Sequence, residues 1–393
     1  MSSLTDLGIV CALGTDKEQV LSACLAGNQS GLIARQDLHP QHTIRVGQVC
    51  AELPDMQTFD QVYRTRCNQL ILLAYQQIAE QIKQLPYPSE RIAVVIGTST
   101  SGIASGEQAM SELQYQGQFP AGFDYALQEM NASAEFLAQL CGARGPVYTV
   151  STACSSSGKA MISARHLLAS GLVDAVITGG ADSLCKLTVN GFASLESVAS
   201  DLCNPFAQQR DGINIGEGAA LFIMQRIEQG ICLAGFGESS DAYHISAPEP
   251  QGTGAISVIQ QALTRADMQA SEVDYINLHG TGTLKNDEME ALAINQLLKQ
   301  VPCSSTKSLT GHALGAAGAI EAAICWLLLS DYNRLNQLPG NRISGQFDPD
   351  LAEINLLAQT RTLDKKINTC LSNSFAFGGS NVALLLSRQL LSS

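Results

Sequence analysis

Short runs of apolar residues alternate along this chain with longer segments of helical periodicity, and this alternation restricts the fold more than any other feature. Eight apolar runs rich in β-forming residues lie at positions 92–97, 147–150, 174–180, 219–225, 231–237, 273–278, 367–371 and 382–386. Segments with helical spacing lie before and between them, at positions 69–84, 156–170, 256–268 and 287–299. Nearly continuous apolar strands are typical of sheets that are buried on both faces. The pattern therefore predicts a layered α/β architecture.

The chain shows no obvious boundary between domains. No stretch rich in proline, glycine or charge divides it, and a soft boundary falls at residues 228–230, between two adjacent apolar runs. With 393 residues, the chain is long enough for two halves that share a large core. We therefore expect an N-terminal half over residues 1–230 and a C-terminal half over residues 231–393, packed closely together, although the two show no clear sequence repeat.

Composition argues against several functional classes. Hydrophobic residues make up 45% and charged residues 15% of the chain, as in a well-buried globular enzyme. The net charge of −13 argues against nucleic-acid binding, which usually needs a basic face. The 12 cysteines are scattered without a Cys-x-x-Cys pair, so we expect reduced thiols and no metal site. The N-terminus lacks a signal-peptide pattern, and the longest apolar stretch, residues 322–329, is too short to span a bilayer, so we expect a soluble cytoplasmic protein.

A cysteine between a predicted strand and a predicted helix is the first candidate for catalysis. Cys154 follows the apolar run at 147–150 among small residues, so we expect a strand, a sharp turn and a helix that begins at the cysteine. The helix dipole and free backbone N–H groups would favour the thiolate, the form that attacks acyl groups. Two downstream histidines, His279 in His-Gly-Thr-Gly-Thr and His312 after Thr-Gly, are candidate partners. Any one of the three, taken alone, would more often be structural.

Small residues mark two further segments. Residues 311–322 are almost all small, which predicts a helix deep in the core that opens at His312. Gly378 and Gly379 predict a tight turn between strands, where backbone N–H groups could face a ligand. Asp287 precedes a helical segment, and we expect it to cap that helix.

Four motifs, in this order, resemble the β-ketoacyl-acyl-carrier-protein synthases of the condensing-enzyme superfamily. They are the cysteine loop at 150–159, His-Gly-Thr-Gly-Thr at 279–283, the small-residue stretch at 305–319 and Asn-Ser-Phe-Ala-Phe-Gly-Gly-Ser-Asn at 373–381. The resemblance covers residues 14–386, and its Cys-His-His set is that of the elongating synthases. It implies a thiolase-like, five-layered αβαβα sandwich of two similar halves, the first carrying the cysteine and the second both histidines.

The resemblance also implies a role for each matched residue. Cys154 would take the acyl chain from the phosphopantetheine of an acyl carrier protein, and His279 and His312 would support decarboxylation of a malonyl thioester and stabilise the enolate. The enolate would attack the acyl group in a decarboxylative Claisen condensation that needs no metal or redox cofactor. Backbone N–H groups of Cys154 and Phe377 would hold the oxyanion, and Phe375 and Phe377 would belong to the gate.

A lysine and a glutamate complete the expected site. Lys307 matches a family lysine near the histidines, and Glu321 is the only charged residue of the small-residue helix. Because a buried lysine needs a counter-charge, we expect the two to pair, with an organising and electrostatic role. Ala376 stands where the family commonly has glycine, which would alter the mobility of the gate loop.

Two further expectations concern the acyl chain and its carrier. Ile103, Ala104 and Gly106 match the region that lines the far end of the family's acyl tunnel at the dimer interface. The small residues there either make room for a long, rigid or aryl-headed polyene chain or only pack tightly. Arg64 and Arg66 form either a basic patch for the carrier protein or two solvated surface arginines.

Departures from the family pattern point to a specialised branch of fatty acid, polyene or type II polyketide synthesis. The N-terminus is short, so we expect a first strand that is trimmed or absent. The resemblance also implies a dimer, either of two identical chains or with a second ketosynthase-like subunit. One rival function is a chain-length-determining partner subunit, which would generally lose the cysteine. Another is a thiolase-like acyl-CoA acyltransferase, whose second cysteine would have to be Cys370, within a strand. A cysteine hydrolase fits the paired histidines least.

Overall fold

The computed structural model describes residues 2–227 and 229–388. The α-helices are α1 (Lys17–Ala26), α2 (Arg66–Gln76), α3 (Ala79–Lys83), α4 (Ile103–Gln116), α5 (Ala132–Cys141), α6 (Ser156–Ala169), α7 (Lys186–Ser194), α8 (Thr253–Ala266), α9 (Leu284–Leu298), α10 (Lys307–Thr310) and α11 (Ala317–Leu329). The strands are β1 (Ser2–Cys11), β2 (Leu32–Arg35), β3 (Ile44–Gly47), β4 (Ile92–Gly97), β5 (Val147–Val150), β6 (Ala175–Asp182), β7 (Gly218–Gln225), β8 (Ile231–Ser240), β9 (Tyr275–Asn277), β10 (Cys303–Ser304), β11 (Gln337–Leu338), β12 (Arg361–Thr362), β13 (Thr369–Phe375) and β14 (Ser380–Arg388). Each apolar run predicted from the sequence overlaps one of these strands, so the α/β prediction is confirmed.

Ten strands form one sheet, and its two halves repeat the same topology. The order β5-β4-β6-β7-β1 in the N-terminal half corresponds to β10-β9-β13-β14-β8 in the C-terminal half. In each half the first three strands of this order are parallel, and the last two run antiparallel to the strand before them. The halves join where β1 meets β8, through the pairs Ser2–Leu233 and Ser3–Cys232. The prediction of two similar halves is therefore confirmed, although the repeat is not visible in the sequence.

Helices complete five layers around the two half-sheets. α2 and α5 cover the outer face of the N-terminal half-sheet, and α8 and α9 cover that of the C-terminal half-sheet. α6 and α11 lie between the half-sheets, and every residue of α11 is buried, as expected for a helix that is apolar on all sides. Even so, no helix in the described part of the chain combines the length and apolar character needed to cross a membrane. The layers form the predicted αβαβα sandwich.

The first strand is a central element of the sheet. β1 has ten residues and pairs with β7 along most of its length. Its side chains of Leu7 and Ile9 are fully buried, and Ser3 Oγ donates a hydrogen bond to Ile227 O at 2.6 Å. The expectation of a trimmed or absent first strand was therefore wrong, because such bonds allow a strand with a polar beginning to lie inside the sheet.

Two predicted helical segments are divided in the structure. The segment at 69–84 forms α2 and α3, with a break at residues 77–78. The segment at 311–322 becomes α-helical only from Ala317, because Gly311 and Leu314 have φ values of +69° and +49°. The small residues serve close packing instead: a Cβ added at Gly318 would lie 3.0 Å from Ser374 Oγ.

Candidate active site

Cys154 lies in a strained turn between β5 and α6. The preceding residue, Ala153, has a φ of +52°, which residues with a side chain rarely adopt. Ser156 Oγ closes the turn by accepting a hydrogen bond from Thr152 N at 2.9 Å and donating one to Ala153 O at 2.5 Å. Cys154 is 4% exposed, and α6 begins at Ser156, two residues after the thiol rather than at it.

His279 follows β9 and is held by acidic and basic side chains. Glu290 of α9 accepts hydrogen bonds from His279 N at 2.8 Å and from Gly280 N at 2.7 Å. Lys307 Nζ lies 3.2 Å from His279 Nδ1 and 2.6 Å from His279 O. Because an ammonium group can only donate, His279 Nδ1 accepts this bond and Nε2 carries the ring proton. His279 therefore offers an N–H donor to the pocket that it lines.

Lys307 is paired with Glu321 in the core. The two side chains form an ion pair, and both residues are 1% exposed. Together with the two contacts to His279, this pair uses all three protons of the ammonium group. Burial raises the pKa of Glu321 to about 7, while the neighbouring Lys307 lowers it. The lysine thus connects the acidic side chain to the histidine.

His312 lies in an extended segment rather than at the start of a helix. Its N–H donates to Asn214 O at 2.7 Å, and Gly216 N donates to His312 O at 2.8 Å. The expectation that helix geometry fixes His312 was therefore wrong, since α11 starts five residues later and the backbone at 214–216 fixes it instead. His312 Nε2 lies 3.0 Å from Cys154 Sγ, whereas Nδ1 has no hydrogen-bond partner among the described residues.

The thiol and both imidazoles meet at one point. One coordinating atom from each of Cys154, His279 and His312 lies within 4.8 Å of the others, and the ring centres are 5.5 Å apart. Burial, followed by the charge of Lys307, lowers the pKa of both histidines well below 6.5, so both rings are neutral at pH 7. Such a set could hold a soft metal ion. Because Nε2 of His279 carries a proton, it has no free lone pair for a metal ion, which argues against metal binding here.

Burial also works against ionisation of the cysteine. It raises the pKa of the Cys154 thiol to about 11, while the charge of Lys307 and the backbone N–H groups of Phe377 and Cys154 lower it. The expectation that the thiolate is favoured was therefore wrong for the resting protein, because loss of hydration outweighs the lysine charge and the two N–H groups. The two N–H groups that face the sulfur are suitable donors to the oxygen of a bound acyl group.

A pocket of about 270 Å³ leads to Cys154. Phe192, Phe375 and Phe377 form an aromatic part of its wall, and the rings of Phe192 and Phe377 have centres 5.2 Å apart. The structure thus places both phenylalanines of the predicted gate beside the cysteine, and adds Phe192, which sequence reasoning missed. The volume lies just below the usual range for ligand pockets and has room for a short group.

The segment between β13 and β14 is a tight turn, as predicted, but its two glycine N–H groups do not face the pocket. Gly378 and Gly379 have φ values of +83° and +77°. Gly378 N donates to Ile245 O at 2.8 Å, and Gly379 N donates to Ala376 O at 3.0 Å. Both glycine N–H groups are thus used within the protein, and the N–H group of this turn that faces the site is that of Phe377.

The residues of the predicted acyl tunnel lie elsewhere. Ile103 and Gly106 line a separate, open groove together with Leu187, and neither they nor Ala104 line the pocket of Cys154. A Cβ added at Gly106 would lie 2.2 Å from Oε1 of Gln128, which is the end of a flexible side chain.

The two arginines of the predicted carrier-protein patch are already engaged. Arg66 forms an ion pair of 2.6 Å with Glu217, whose side chain is fully buried. Arg64 is exposed and donates hydrogen bonds to the backbone oxygens of Phe59 and Gln57. The structure therefore does not present them as a pair of uncommitted cations.

Two buried acids near His279 have roles that sequence reasoning missed or misassigned. Asp287 does not cap α9, which begins at Leu284; it accepts hydrogen bonds from the backbone N–H groups of Phe206 and Gly282. Burial raises its pKa to about 6, and that of Glu290 to about 7. The two acids are three residues apart and so lie on one helix face. This spacing was the sequence feature that could have indicated a shared buried role.

This arrangement has counterparts in known proteins. The chain matches the family described as beta-ketoacyl synthase, N-terminal domain, over residues 31–230, and that described as beta-ketoacyl synthase, C-terminal domain, over residues 231–337. The chain therefore belongs to the beta-ketoacyl synthase family. It is an acyl-transferring condensing enzyme.

Relatives with similarity over the full length include proteins with different names. The chain is 30% identical to 3-oxoacyl-acyl-carrier-protein synthase 2 of Synechocystis sp., over 97% of this chain and 96% of that protein. It is also 30% identical to nodulation protein E of Rhizobium sp., over 97% of each. Among solved structures, the ketosynthase (ApeO) in complex with its chain length factor (ApeC) from Xenorhabdus doucetiae matches with a TM-score of 0.94 and 45% identity, covering 99% of this chain and 98% of that chain.

Proposed function

We propose that this chain joins an acyl group held on Cys154 to a malonyl group held on an acyl carrier protein, by decarboxylative Claisen condensation. The observation that supports this most directly is the convergence of one buried thiol and two neutral imidazoles on a single pocket. A thiol can hold an acyl chain as a thioester, and two N–H donors can stabilise an enolate. The proposed halves, residues 1–230 and 231–393, would supply the nucleophile and the histidines respectively.

In the loading step, Cys154 Sγ attacks the carbonyl carbon of the acyl thioester. Because the pKa of the thiol is high, the attack needs a base, and His312 Nε2, 3.0 Å away, accepts the proton as the new C–S bond forms. The carbonyl oxygen gains negative charge, and the backbone N–H groups of Cys154 and Phe377 donate hydrogen bonds to it. The sulfur of the carrier then leaves with the proton from His312, so that protons and charge balance.

In the condensation step, the malonyl carboxylate leaves as CO2 and its electron pair forms an enolate. His279 Nε2–H donates to the enolate oxygen, and His312 can do the same because its unpartnered Nδ1 leaves the ring proton free to lie on Nε2. The enolate carbon then attacks the acyl carbon, the bond to Cys154 Sγ breaks, and the thiolate takes up one proton. Loss of CO2 supplies the carbanion, so the proposal includes no metal or redox cofactor.

We propose that the carrier protein docks at the mouth of the pocket. Leu195 and Leu284 line the pocket and are more than half exposed, and Lys285 beside them is an exposed cation. Apolar side chains around one cation suit a partner whose own surface is acidic and partly apolar. The similarity to a 3-oxoacyl-acyl-carrier-protein synthase supports this partner.

We further propose a dimer in which a second ketosynthase-like chain acts as the chain length factor. The similar ketosynthase of 45% identity was solved in complex with such a factor. This chain keeps Cys154, His279 and His312, so we place it in the condensing role rather than in the chain-length role. A second chain would also close the open groove of Ile103 and Gly106, and a long polyene, aryl-headed or not, is our proposal for what that space would hold. The unpaired cysteines favour a cytoplasmic location.

Intact-protein mass spectrometry tests the proposed reaction. The protein is incubated with carrier protein bearing a panel of acyl groups, and then with malonyl-carrier protein. We expect an acyl adduct on the native chain, none on Cys154→Ala, and an unchanged adduct on Cys50→Ala, which removes an exposed cysteine. A 3-oxoacyl product and CO2 should follow only in the chains that load. Loading without any condensation would instead favour a simple acyltransferase.

A further inference from the structure

The backbone that holds His312 belongs to a longer series of contacts. Asn214 O accepts a hydrogen bond from His312 N at 2.7 Å, and Gly216 N donates one to His312 O at 2.8 Å. Gly216 also packs directly against the same turn, since a Cβ added there would lie 2.7 Å from Thr310 O and 3.0 Å from Gly311 C. A shift of this segment therefore moves the histidine.

Glu217, the next residue, anchors the segment. Its side chain is fully buried, and its carboxylate accepts hydrogen bonds from Arg66 Nε at 2.7 Å, Arg66 Nη2 at 2.6 Å, Val49 N at 3.0 Å and Leu184 N at 3.3 Å. Arg66 is the first residue of α2 and contributes the cation of this group. A two-point contact between guanidinium and carboxylate fixes the geometry, whereas a buried carboxylate without its partner is an unpaired charge.

The same segment is tied to β3 on its other side. Gly47 N donates to Ile215 O at 2.8 Å, and Glu217 N donates to Gly47 O at 2.9 Å. A Cβ added at Gly47 would lie 2.1 Å from Thr310 O. The end of β3, the segment at 214–217 and the turn of His312 are therefore in direct backbone contact. Side-chain rotation cannot absorb a displacement between them.

We propose that the ion pair of Arg66 and Glu217 is a positioning device for His312, which keeps its Nε2 within hydrogen-bonding distance of Cys154 Sγ. The kinetic consequences rest on the proposed function, but the geometry does not. Neither partner touches the reacting atoms, so both are positioning residues. Arg66 thereby has its role inside the enzyme and not in carrier docking.

Kinetics of matched variants test this proposal. Arg66→Met leaves the carboxylate unpaired, and Arg66→Lys keeps the charge but loses the two-point contact. Arg91→Met is the control, because Arg91 makes a comparable two-point contact with Asp174, at 2.8 and 2.9 Å, in a more exposed setting. We expect Arg66→Met to lower kcat for condensation roughly tenfold to a hundredfold while KM for the carrier protein changes less than about twofold. Arg66→Lys should recover part of kcat, and Arg91→Met should change neither constant.

A double variant decides whether Arg66 acts through the histidine. If it does, Arg66→Met has no further effect on kcat once His312→Ala has removed the imidazole. Losses that multiply in the double variant would overturn the proposal. A raised KM with unchanged kcat in Arg66→Met would do the same, because it would return Arg66 to carrier docking.

A readout without substrate keeps this test separate from the proposed function. The rate at which iodoacetamide alkylates Cys154 should change in Arg66→Met in the same direction as in His312→Ala, because His312 Nε2 is hydrogen-bonded to the sulfur. This holds even for a chain that condenses nothing. Should Arg66→Met fail to fold, the neutral pair Arg66→Met/Glu217→Gln carries the same expectation. An alkylation rate equal to that of the native chain would overturn the proposal.

Discussion

The two halves of the molecule share a topology but divide the chemistry between them. Each has a five-stranded half-sheet in the same order and a central helix, α6 in the first and α11 in the second. The loop before α6 carries Cys154 and the loop before α11 carries His312, so the repeat brings these side chains face to face. Gly158 and Gly318 let the two helices approach, since a Cβ at Gly318 would lie 3.3 Å from Gly158 N.

The loops after β4 and β9, which occupy equivalent places, show how the halves differ. After β4, the Asp182 carboxylate accepts backbone and side-chain hydrogen bonds from residues 98–100. After β9, the Glu290 carboxylate accepts bonds from backbone N–H groups and leaves the imidazole of His279 to face the pocket. An acidic side chain thus orders both loops, but only the second loop presents a proton donor. The repeated scaffold fixes positions twice, and each half contributes different chemistry.

The matched variants His279→Ala and His312→Ala should give the largest effects. Both should lower kcat for condensation by roughly 10²–10³, because each removes a donor to the enolate. Only His312→Ala should also slow the loading of Cys154, because His312 Nε2 lies within hydrogen-bonding distance of the sulfur. Time-resolved mass spectrometry of the acyl adduct, measured apart from product formation, separates the two steps. Equal slowing of loading in both variants would show that the rings do not divide the work.

The next effect concerns a pair that lies entirely in the C-terminal half. Lys307→Met leaves the Glu321 carboxylate buried without a counter-charge, and we expect the free energy of unfolding to fall by about 3–5 kcal/mol. The double variant Lys307→Met/Glu321→Gln should regain much of that stability but not activity, because His279 Nδ1 still lacks its donor. Denaturation followed by the fluorescence of Trp326, the single tryptophan, measures the difference. An active double variant would contradict the assigned role of Lys307.

The same pair predicts a direction for the effect of pH. The pKa of Glu321 in the folded protein is raised to about 7, above the roughly 4.3 of an unfolded glutamate. The folded state therefore binds this proton more tightly, and the contribution of Glu321 to stability falls as pH rises through this range. Loss of Lys307 strengthens that preference. The stability gap between the native chain and Lys307→Met should therefore widen as pH rises above about 7, where only the native chain can ionise Glu321 while folded, and it should narrow below that pH.

Local patterns allowed much of this molecule to be predicted. Apolar runs predicted the strands, because a strand that is buried on both faces has apolar residues at consecutive positions. Motif order predicted the cysteine, both histidines and Lys307, and the need of a buried lysine for a counter-charge predicted Glu321. The structure brings these five side chains together. Each belongs to a short segment whose residue types are unusual enough to be noticed without tertiary information.

The errors share a different origin, which is dependence on distant partners. Arg66 resembled a surface cation because Glu217 is 151 residues away in sequence. The thiol of Cys154 was expected to be acidic from its place near a helix end, but the burial that raises its pKa comes from the whole fold. The start of α11 depends on positive φ values at Gly311 and Leu314, which a run of small residues does not reveal.

The raised pKa of the Cys154 thiol, in the N-terminal half, gives a fourth measurable consequence. Alkylation of Cys154 by iodoacetamide should speed up about tenfold per pH unit from pH 7 to 10, as the thiolate fraction grows. An ordinary thiol would level off above about pH 8.5. Lys307→Met should slow the reaction at each pH, because the charge of Lys307 lowers this pKa from the other half. Mass spectrometry of the Cys154 peptide measures the rate, and a plateau near neutral pH would contradict the effect of burial.

The smallest effect is expected at the mouth of the pocket, where both halves meet again through Leu195 and Leu284. Lys285→Ala should raise KM for the carrier protein about two- to fivefold and leave kcat unchanged, since an exposed charge acts mainly on encounter. Lys83→Ala, which removes an exposed lysine paired with Glu80, is the control. A larger rise in KM for Arg64→Ala would place docking on the N-terminal half alone. Because salt screens exposed charges, the effect of Lys285→Ala should fade at high ionic strength. An effect that persisted there would mean that Lys285 acts inside the pocket and not on the approach of the carrier.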